Sequence, residues 1–191
     1  MLKVFLVGLP KSGTSTIHKS LVASGFKPGH WEVKGEYIGP KIYENFAAGL
    51  DPVHGLNGLN AITQPDYVNM KSTYWPQMDP ALLLSIEKHH PDCLFLLNAR
   101  NVQKVISSIT RWPTMRDRLN ESGAPGLLPG MAAHDAFMEQ WIVNHYEFCR
   151  RFFADKNFLE VNIEDPAAPQ KIGAALDVEM KWWGQANVNP T

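Results

Sequence analysis

Hydrophobic runs alternate with amphipathic stretches along most of the chain. A continuous apolar run predicts a buried strand at residues 93–98, because a strand covered on both faces is apolar throughout. Residues 2–7 also have a buried-strand pattern, and residues 158–162 predict the last strand. A shorter strand is predicted at residues 68–70, ending at Lys71. Apolar positions at helical spacing predict helices between these strands, at residues 14–23, 41–48, 80–89, 102–110, 133–153 and 166–176.

Strands that alternate with helices predict an α/β fold, with a central parallel sheet in a three-layer α/β/α arrangement. A chain of 191 residues fits a single domain, residues 1–191. In such sheets ligands bind beyond the carboxyl ends of the strands. We therefore expect a functional site among the segments that follow Val7, Met70 and Asn98.

Two segments are rich in glycine and proline. Residues 26–60 contain several breaks, and only residues 41–48 predict an element there. Residues 112–132 predict a loop that is too long for a simple connection, and a lid or substrate loop is one interpretation of it. Its breaking residues are Pro113, Gly123, Pro125, Gly126, Pro129 and Gly130.

Composition narrows the possible partners. The chain has 18 basic and 19 acidic residues, a formal charge of −1, so it lacks the overall basic field that holds nucleic acid or an anionic membrane. Cys93 and Cys149 are far apart, which predicts neither a metal-binding pair nor a disulfide framework but two buried side chains. With no long apolar run and no signal-peptide pattern at the start, the expected location is the cytoplasm.

The clearest chemical pattern is Gly8-Leu9-Pro10-Lys11-Ser12-Gly13-Thr14-Ser15, which follows a predicted strand and opens a predicted helix. Glycines let the backbone approach an anion closely, and the first N–H groups and dipole of the helix favour negative charge. The hydroxyls of Thr14, Ser15 and Thr16 add donors. The segment therefore predicts a P-loop-like phosphate-binding loop.

The loop departs from the nucleoside-triphosphatase motif GxxxxGK[ST]. Gly8 and Gly13 have the right separation, but Thr14 stands where that motif needs lysine, and the lysine is at position 11. A kinase would lack its usual contact to the β- and γ-phosphates. A P-loop kinase of small metabolites therefore remains only as an alternative interpretation.

PKSGTS at residues 10–15 resembles the 5′-phosphosulfate loop of the sulfotransferases that use 3′-phosphoadenosine 5′-phosphosulfate (PAPS). The resemblance implies that this loop binds PAPS and that Lys11 holds the phosphosulfate bridge and the 5′-phosphate. The residues it assigns to the donor are Pro10, Lys11, Ser12, Gly13, Thr14 and Ser15.

A second motif strengthens the resemblance. In the same family, an arginine just after a later buried strand and a serine eight residues on bind the 3′-phosphate. Here Arg100 follows the strand at residues 93–98, and Ser108 lies eight residues further. Eight residues are just over two helical turns, which places the two on a similar side of the helix. Asn101-Val102 stands where the family often has Asp-Pro or Asn-Pro.

Candidates for the acceptor side are less defined. Residues 69–74 (NMKSTY) resemble the K-[ST]-P-x-Y stretch of heparan-type sulfotransferases with Thr73 in place of proline, which implies that Lys71 faces the sulfonate or the acceptor. A hydroxyl acceptor also needs a general base. The segment after the first helix offers His30, Glu32 and Glu36, and the heparan-type resemblance favours Glu32 over His30.

The resemblance implies a PAPS-dependent sulfotransferase that transfers a sulfonate to a hydroxyl or amine of a small-molecule or carbohydrate acceptor. No metal is expected, since the sequence contains no ligand cluster. Besides the kinase, the other alternative is a non-catalytic nucleotide-binding module on the same fold. Five aromatic residues flank the expected site: Trp31, Tyr37, Tyr74, Trp75 and Trp112. Three roles are open for them: stacking on adenine, lining an acceptor pocket, or packing in the core.

Overall fold

The computed structural model describes residues 1–56 and 58–186. Asn57 and residues 187–191 of the expected domain lie outside the described residues. Seven strands form one sheet: β1 (Val4–Leu6), β2 (Pro28–His30), β3 (Glu32–Val33), β4 (Glu36–Tyr37), β5 (Ala61–Gln64), β8 (Leu94–Ala99) and β9 (Phe158–Asn162). A separate two-stranded sheet contains β6 (Tyr67–Val68) and β7 (Thr73–Tyr74).

The order of the large sheet is β4-β3-β2-β5-β1-β8-β9. Five of these strands, from β2 to β9, run parallel, and β3 and β4 extend one edge as antiparallel strands. β1 lies in the centre, with Val4 beside both Ala61 and Leu94. The carboxyl ends of β1, β5 and β8 therefore meet at one edge, where the expected phosphate loop leaves β1.

Helices cover both faces of the sheet. They are α1 (Thr14–Ala23), α2 (Ile38–Ala47), α3 (Pro80–His89), α4 (Val102–Arg111), α5 (Met115–Ser122), α6 (Asp135–Phe152) and α7 (Ala168–Leu176). Alternate residues of β1 point to opposite faces, as strand geometry requires. Phe5 joins a large core with α2 to α6, whereas Val4 and Leu6 join a smaller one with α1 and α7. The α/β fold with a central parallel sheet is thus confirmed, and its layers are consistent with the expected α/β/α arrangement.

Several predicted elements are confirmed closely. α1 and β9 have the predicted bounds, and α3 begins at Pro80 with the Asp79 side chain accepting hydrogen bonds from the N–H groups of Ala81 and Leu82. Both cysteines are buried. Within the described residues, no helix is long and apolar enough to cross a membrane.

The predicted strand at residues 68–70 is wrong as a strand of the main sheet. Those residues begin a small hairpin of β6 and β7, and the parallel strand of this region is β5. β5 has only four residues, and Gln64 and Pro65 interrupt its apolar run early. The expected ligand-binding segment therefore follows Gln64 rather than Met70.

The predicted loop at residues 112–132 is also wrong, because it contains α5 and a 3-10 turn at Met131–Ala133. Met115 and Leu119 are four residues apart, so both point into the core, where Leu127 joins them. In residues 26–60 the sequence interpretation missed three short strands, β2 to β4. α2 begins earlier than predicted, with Pro40 in its first turn, where a missing N–H costs little.

Candidate functional site

A cavity of about 810 Å³ opens beyond the carboxyl ends of β1 and β5, beside α4. Two groups of residues line it. The loop group comes from the β1–α1 loop and from the segment after β8: Pro10, Lys11, Gly13, Thr14, Ser15, Arg100 and Ser108. The second group comes mainly from the ends of β2 and β5 and from α5: His30, Trp31, Gln64, Asp66, Val68, Met115 and Arg118.

The β1–α1 loop turns sharply at two left-handed positions, Lys11 (φ 67°) and Gly13 (φ 97°). At Gly13 a side chain would be strained, because L residues rarely adopt this φ and a Cβ atom would lie 2.3 Å from Cδ1 of Ile163. At Lys11 the same conformation carries a side chain and is strained, which is common where a backbone is shaped for a ligand. Gly13 thus lets the loop lie against the segment that follows β9.

Buried contacts fasten the loop to the sheet. Asn98, on β8, donates from Nδ2 to the carbonyl oxygen of Ser12 (3.2 Å) and to its Oγ (2.6 Å), and the Ser12 hydroxyl donates to the carbonyl of Leu9. A Cβ atom at Gly8 would overlap the Asn98 amide, 2.0 Å from Oδ1. Ser12 is fully buried and does not line the cavity. Its role in the structure is to hold the loop in place.

The N-terminus of α1 faces the cavity through Gly13, Thr14, Ser15 and Thr16. No side chain caps it. The Thr16 N–H donates to the Gly13 carbonyl (3.0 Å), whereas the N–H groups of Thr14 and Ser15 have no partner within the helix and are available for an anion. Two of the three expected hydroxyl donors act within the protein instead: Thr14 donates to Oε1 of Gln64 (3.3 Å), and Thr16 to the carbonyl of Gly184 (3.0 Å).

Lys11 lies half-buried in the cavity, and its Nζ is 3.5 Å from the centroid of the Trp112 ring. Burial, followed by the charges of Arg100 and Arg111, lowers its pKa to about 8. At pH 7 the lysine is therefore still mainly protonated. Three basic side chains in one cavity repel each other, and an anion bound among them relieves that repulsion.

Arg100 reaches the same loop from the end of β8. Its Nη1 donates to the carbonyl oxygen of Lys11 (3.2 Å), and its Nε to Glu164 (3.4 Å). Glu164 also accepts from Lys104 (2.8 Å), and these two hydrogen bonds, Lys104 first, hold its pKa below the usual range. Ser108 lies on α4, nearly buried and also lining the cavity. The structure thus brings Arg100 and Ser108 to one cavity with Lys11.

In the second group, Asp66 is a buried carboxyl that the sequence interpretation did not select. Oδ2 accepts from Gln64 (3.2 Å) and Oδ1 from Gln77 (3.1 Å). Burial raises its pKa to about 6, although these hydrogen bonds and the charge of Arg118 act in the opposite direction. The side-chain NH₂ of Gln64 donates to Asp66, and its side-chain oxygen Oε1 accepts from Thr14. Gln64 therefore connects the two groups.

His30 belongs to a buried hydrogen-bond cluster. The Thr63 hydroxyl donates its one proton to the carbonyl of Gly29 (2.9 Å). The Nδ1 atoms of His30 and His18 each lie 3.0 Å from the hydroxyl oxygen of Thr63. All three contacts are hydrogen bonds only if both rings donate from Nδ1. The remaining ring nitrogen of His30, Nε2, is then the basic one. Burial and then the charge of His18 lower the pKa of His30 to about 4, so the ring is neutral at pH 7.

Besides Ser12, two other predicted site residues do not line the cavity. Glu32 lies on β3, just past His30, and Lys71 is exposed in the turn between β6 and β7, where its N–H donates to Asn69. Of the predicted site residues, the cavity thus collects Pro10, Lys11, Gly13, Thr14, Ser15, His30, Arg100 and Ser108.

Other lining residues were missed for different reasons. Residues 183–186 follow α7 and contact α1, where Thr16 donates to the carbonyl of Gly184 (3.0 Å); nothing in their sequence suggests a site. Asp66 had a usable signal. Ala61-Ile62-Thr63 is a short strand-forming run ending in Gln64-Pro65, which would have placed Asp66 just beyond a parallel strand.

Comparison with known proteins adds nothing to this geometry. No protein-family model matches the chain, and no curated protein is significantly similar to it. Within the described residues, no group of three or more His, Cys, Asp or Glu side chains is arranged to hold a metal ion.

Proposed function

We propose that this chain is a PAPS-dependent sulfotransferase, in which the β1–α1 loop is a P-loop-like phosphate-binding loop. The observation that carries the proposal is the convergence of Lys11, Arg100 and Ser108, distant in sequence, on one cavity with the uncapped N-terminus of α1. A nucleotide with two separate phosphates needs two such sets of donors. The loop and α1 would hold the 5′-phosphosulfate, and Arg100 and Ser108 the 3′-phosphate.

The reaction moves SO₃ from the donor to an oxygen or nitrogen of the acceptor. The acceptor atom bonds to sulfur while the bond from sulfur to the bridging oxygen breaks, and adenosine 3′,5′-bisphosphate leaves. Negative charge grows on that bridging oxygen, so a cation placed there lowers the barrier. Lys11 is the candidate, since its ammonium group lies in the cavity and is mainly protonated at pH 7.

A hydroxyl acceptor loses its proton in the same step. His30 is the better-placed base, because it lines the cavity with a neutral ring, while Glu32 does not line it. Thr63 fixes the Nδ1–H tautomer and leaves Nε2 to take the proton. A bound donor brings negative charge into the cavity, which raises the pKa of His30 and makes it a stronger base during turnover.

The direct test is binding and transfer with the full chain. Adenosine 3′,5′-bisphosphate at 100 times its dissociation constant should add about 2.7 kcal/mol to the free energy of unfolding. For a chain of this size, that raises the melting temperature by roughly 5–10 °C. PAPS should then lose its sulfonate to an acceptor. A shift with magnesium-ATP alone would support the kinase, and binding without transfer would support a non-catalytic module.

A further inference from the structure

The second group contains a cation that the proposed donor chemistry does not use. Arg118 lies on α5 and is half-buried at the cavity. Its guanidinium is held by carbonyl oxygens of Val68 (Nη1, 3.0 Å) and Thr114 (Nε, 3.3 Å), while Nη2 lies 3.7 Å from the sulfur of Met115. A guanidinium has five N–H donors, so these contacts do not use all of its N–H groups.

Arg118 interacts with the charge of Asp66 but forms no direct ion pair within the described residues. Among residues 1–56 and 58–186, no carboxylate oxygen lies within the 4.0 Å of its nitrogens that defines an ion pair. The charge of Arg118 acts to lower the pKa of Asp66, but both oxygens of that carboxyl already accept hydrogen bonds, one from Gln64 and one from Gln77. A guanidinium stays charged at all ordinary pH values, and holding it partly away from water with no carboxylate in direct contact is unfavourable.

Part of the cavity wall near Arg118 is apolar. Val68 and Met115 are buried beside it, and Trp31 lines the same cavity with 42% of its surface exposed. Trp31 is also held in a left-handed conformation (φ 66°), uncommon for a bulky residue. Hydrogen bonds from Trp31 N–H to the Gln64 carbonyl (2.9 Å) and from Ile38 N–H to the Trp31 carbonyl (3.0 Å) keep it there.

We infer that Arg118 binds a carboxylate of the acceptor, whose flat apolar body lies against Trp31, Val68 and Met115. A planar guanidinium fork suits a carboxylate, and aromatic and sulfur-containing side chains suit a flat apolar ligand. The inference rests on the proposed function, since it assigns the acceptor of that reaction. It places the acceptor's anionic end on α5 and leaves its hydroxyl to reach His30.

The donor has no need of this cation. Its two phosphates have Lys11, Arg100 and the N-terminus of α1, all of which belong to the loop group. The backbone contacts of Arg118 are instead to β6 and to its own helix turn. Binding of the donor and recognition of the acceptor are therefore separable by mutation.

A matched pair of probes tests the inference. The full chain is saturated with adenosine 3′,5′-bisphosphate, and binding of 4-hydroxybenzoate and of neutral 4-hydroxybenzamide is measured by calorimetry. A charge-assisted hydrogen bond is worth about 10- to 150-fold in affinity, so the carboxylate should bind at least about 10-fold more tightly than the amide. Arg118→Gln should abolish this preference, and Arg118→Lys should retain part of it.

The control is Arg116→Gln, on the same helix, whose guanidinium is paired with Asp135 and does not line the cavity. It should keep the preference. Affinity for the bisphosphate, measured in each sample, should not change in Arg118→Gln. Normal bisphosphate binding with no preference for the carboxylate, or with no binding of either probe, would overturn the inference alone. Absence of bisphosphate binding in the wild-type protein would instead overturn the proposed function.

Discussion

The two groups of residues that line the cavity are built in different ways. The loop group comes largely from one short segment, and buried contacts from Asn98 and Gly13 fix its backbone. The second group is assembled from the ends of β2 and β5 and from α5, and side-chain hydrogen bonds between His30 and Thr63 and between Gln64 and Asp66 hold its parts in place. Under the proposed function, a rigid backbone suits a donor that is always the same. Side chains from separate elements suit recognition of the acceptor, because each can be substituted without disturbing the donor site.

The largest effect is expected in the second group, at the base. His30→Asn removes the nitrogen proposed to take the proton and should lower the rate of sulfonate transfer about 10²–10⁴-fold. Affinity for adenosine 3′,5′-bisphosphate should stay near that of the wild type. His89→Asn, an exposed histidine that ends α3, is the matched control and should transfer at the normal rate.

Glu32→Gln decides between the two predicted bases. It should keep nearly full activity, because Glu32 does not line the cavity. A large loss in Glu32→Gln, together with normal activity in His30→Asn, would return the role to Glu32 and show that the glutamate of the heparan-type resemblance is the base here too.

The next largest effect is expected in the loop group. Lys11→Ala should lower the rate of transfer about 10²–10³-fold, the usual loss when one donor to a developing charge is removed. Binding of the product nucleotide should weaken much less, since the backbone of the loop and α1 remains. Single-turnover rates and calorimetric affinities separate the two quantities. Lys88→Ala, an exposed lysine on α3, serves as the control; equal losses in rate and affinity at Lys11 would indicate simple phosphate binding.

Asp66 provides a test that does not require activity. Its pKa is raised from 3.8 to about 6 in the folded protein, so ionisation costs stability as the pH rises from about 4 to about 6. About two pKa units correspond to about 3 kcal/mol. Asp66→Asn mimics the protonated acid, and relative to the wild type it should gain about this much stability between pH 4 and pH 7.

Urea unfolding of both proteins at pH 4 and pH 7 measures this change. Asp117→Asn, which replaces an exposed carboxyl on α5, is the control for the substitution itself. If the difference between Asp66→Asn and the wild type is the same at both pH values, Asp66 is not a buried acid and its hydrogen bonds with Gln64 and Gln77 are not as the structure describes.

The contrast between the two groups also explains what the sequence could predict. The loop, Arg100 and Ser108 were identifiable because local spacing around a long buried strand, β8, determines where they lie. β5 was missed because a strand of four residues has only a short hydrophobic run, Ala61 to Thr63, and without this strand the positions of Thr63 and Asp66 were not predicted.

α5 was missed for another reason. Glycines and prolines on both sides of it suggested a loop, whereas tertiary burial of Met115 and Leu119 stabilises a short helix there. The position of Arg118 follows from that packing, and no local pattern in the sequence predicts it.

The central claim is that Lys11 and Arg100 hold two phosphates of one nucleotide. Calorimetric titration of the wild type, Arg100→Ala and the control Arg150→Ala, each with adenosine 3′,5′-bisphosphate and with adenosine 5′-monophosphate, tests it most directly. Arg150 is a suitable control because it too is bound to a carboxylate, Glu160, but does not line the cavity. In Arg100→Ala, affinity for the bisphosphate should fall about 10- to 150-fold, while affinity for the monophosphate should hardly change. Equal weakening of both nucleotides would show that Arg100 only supports the loop through the Lys11 carbonyl, and would contradict the claim.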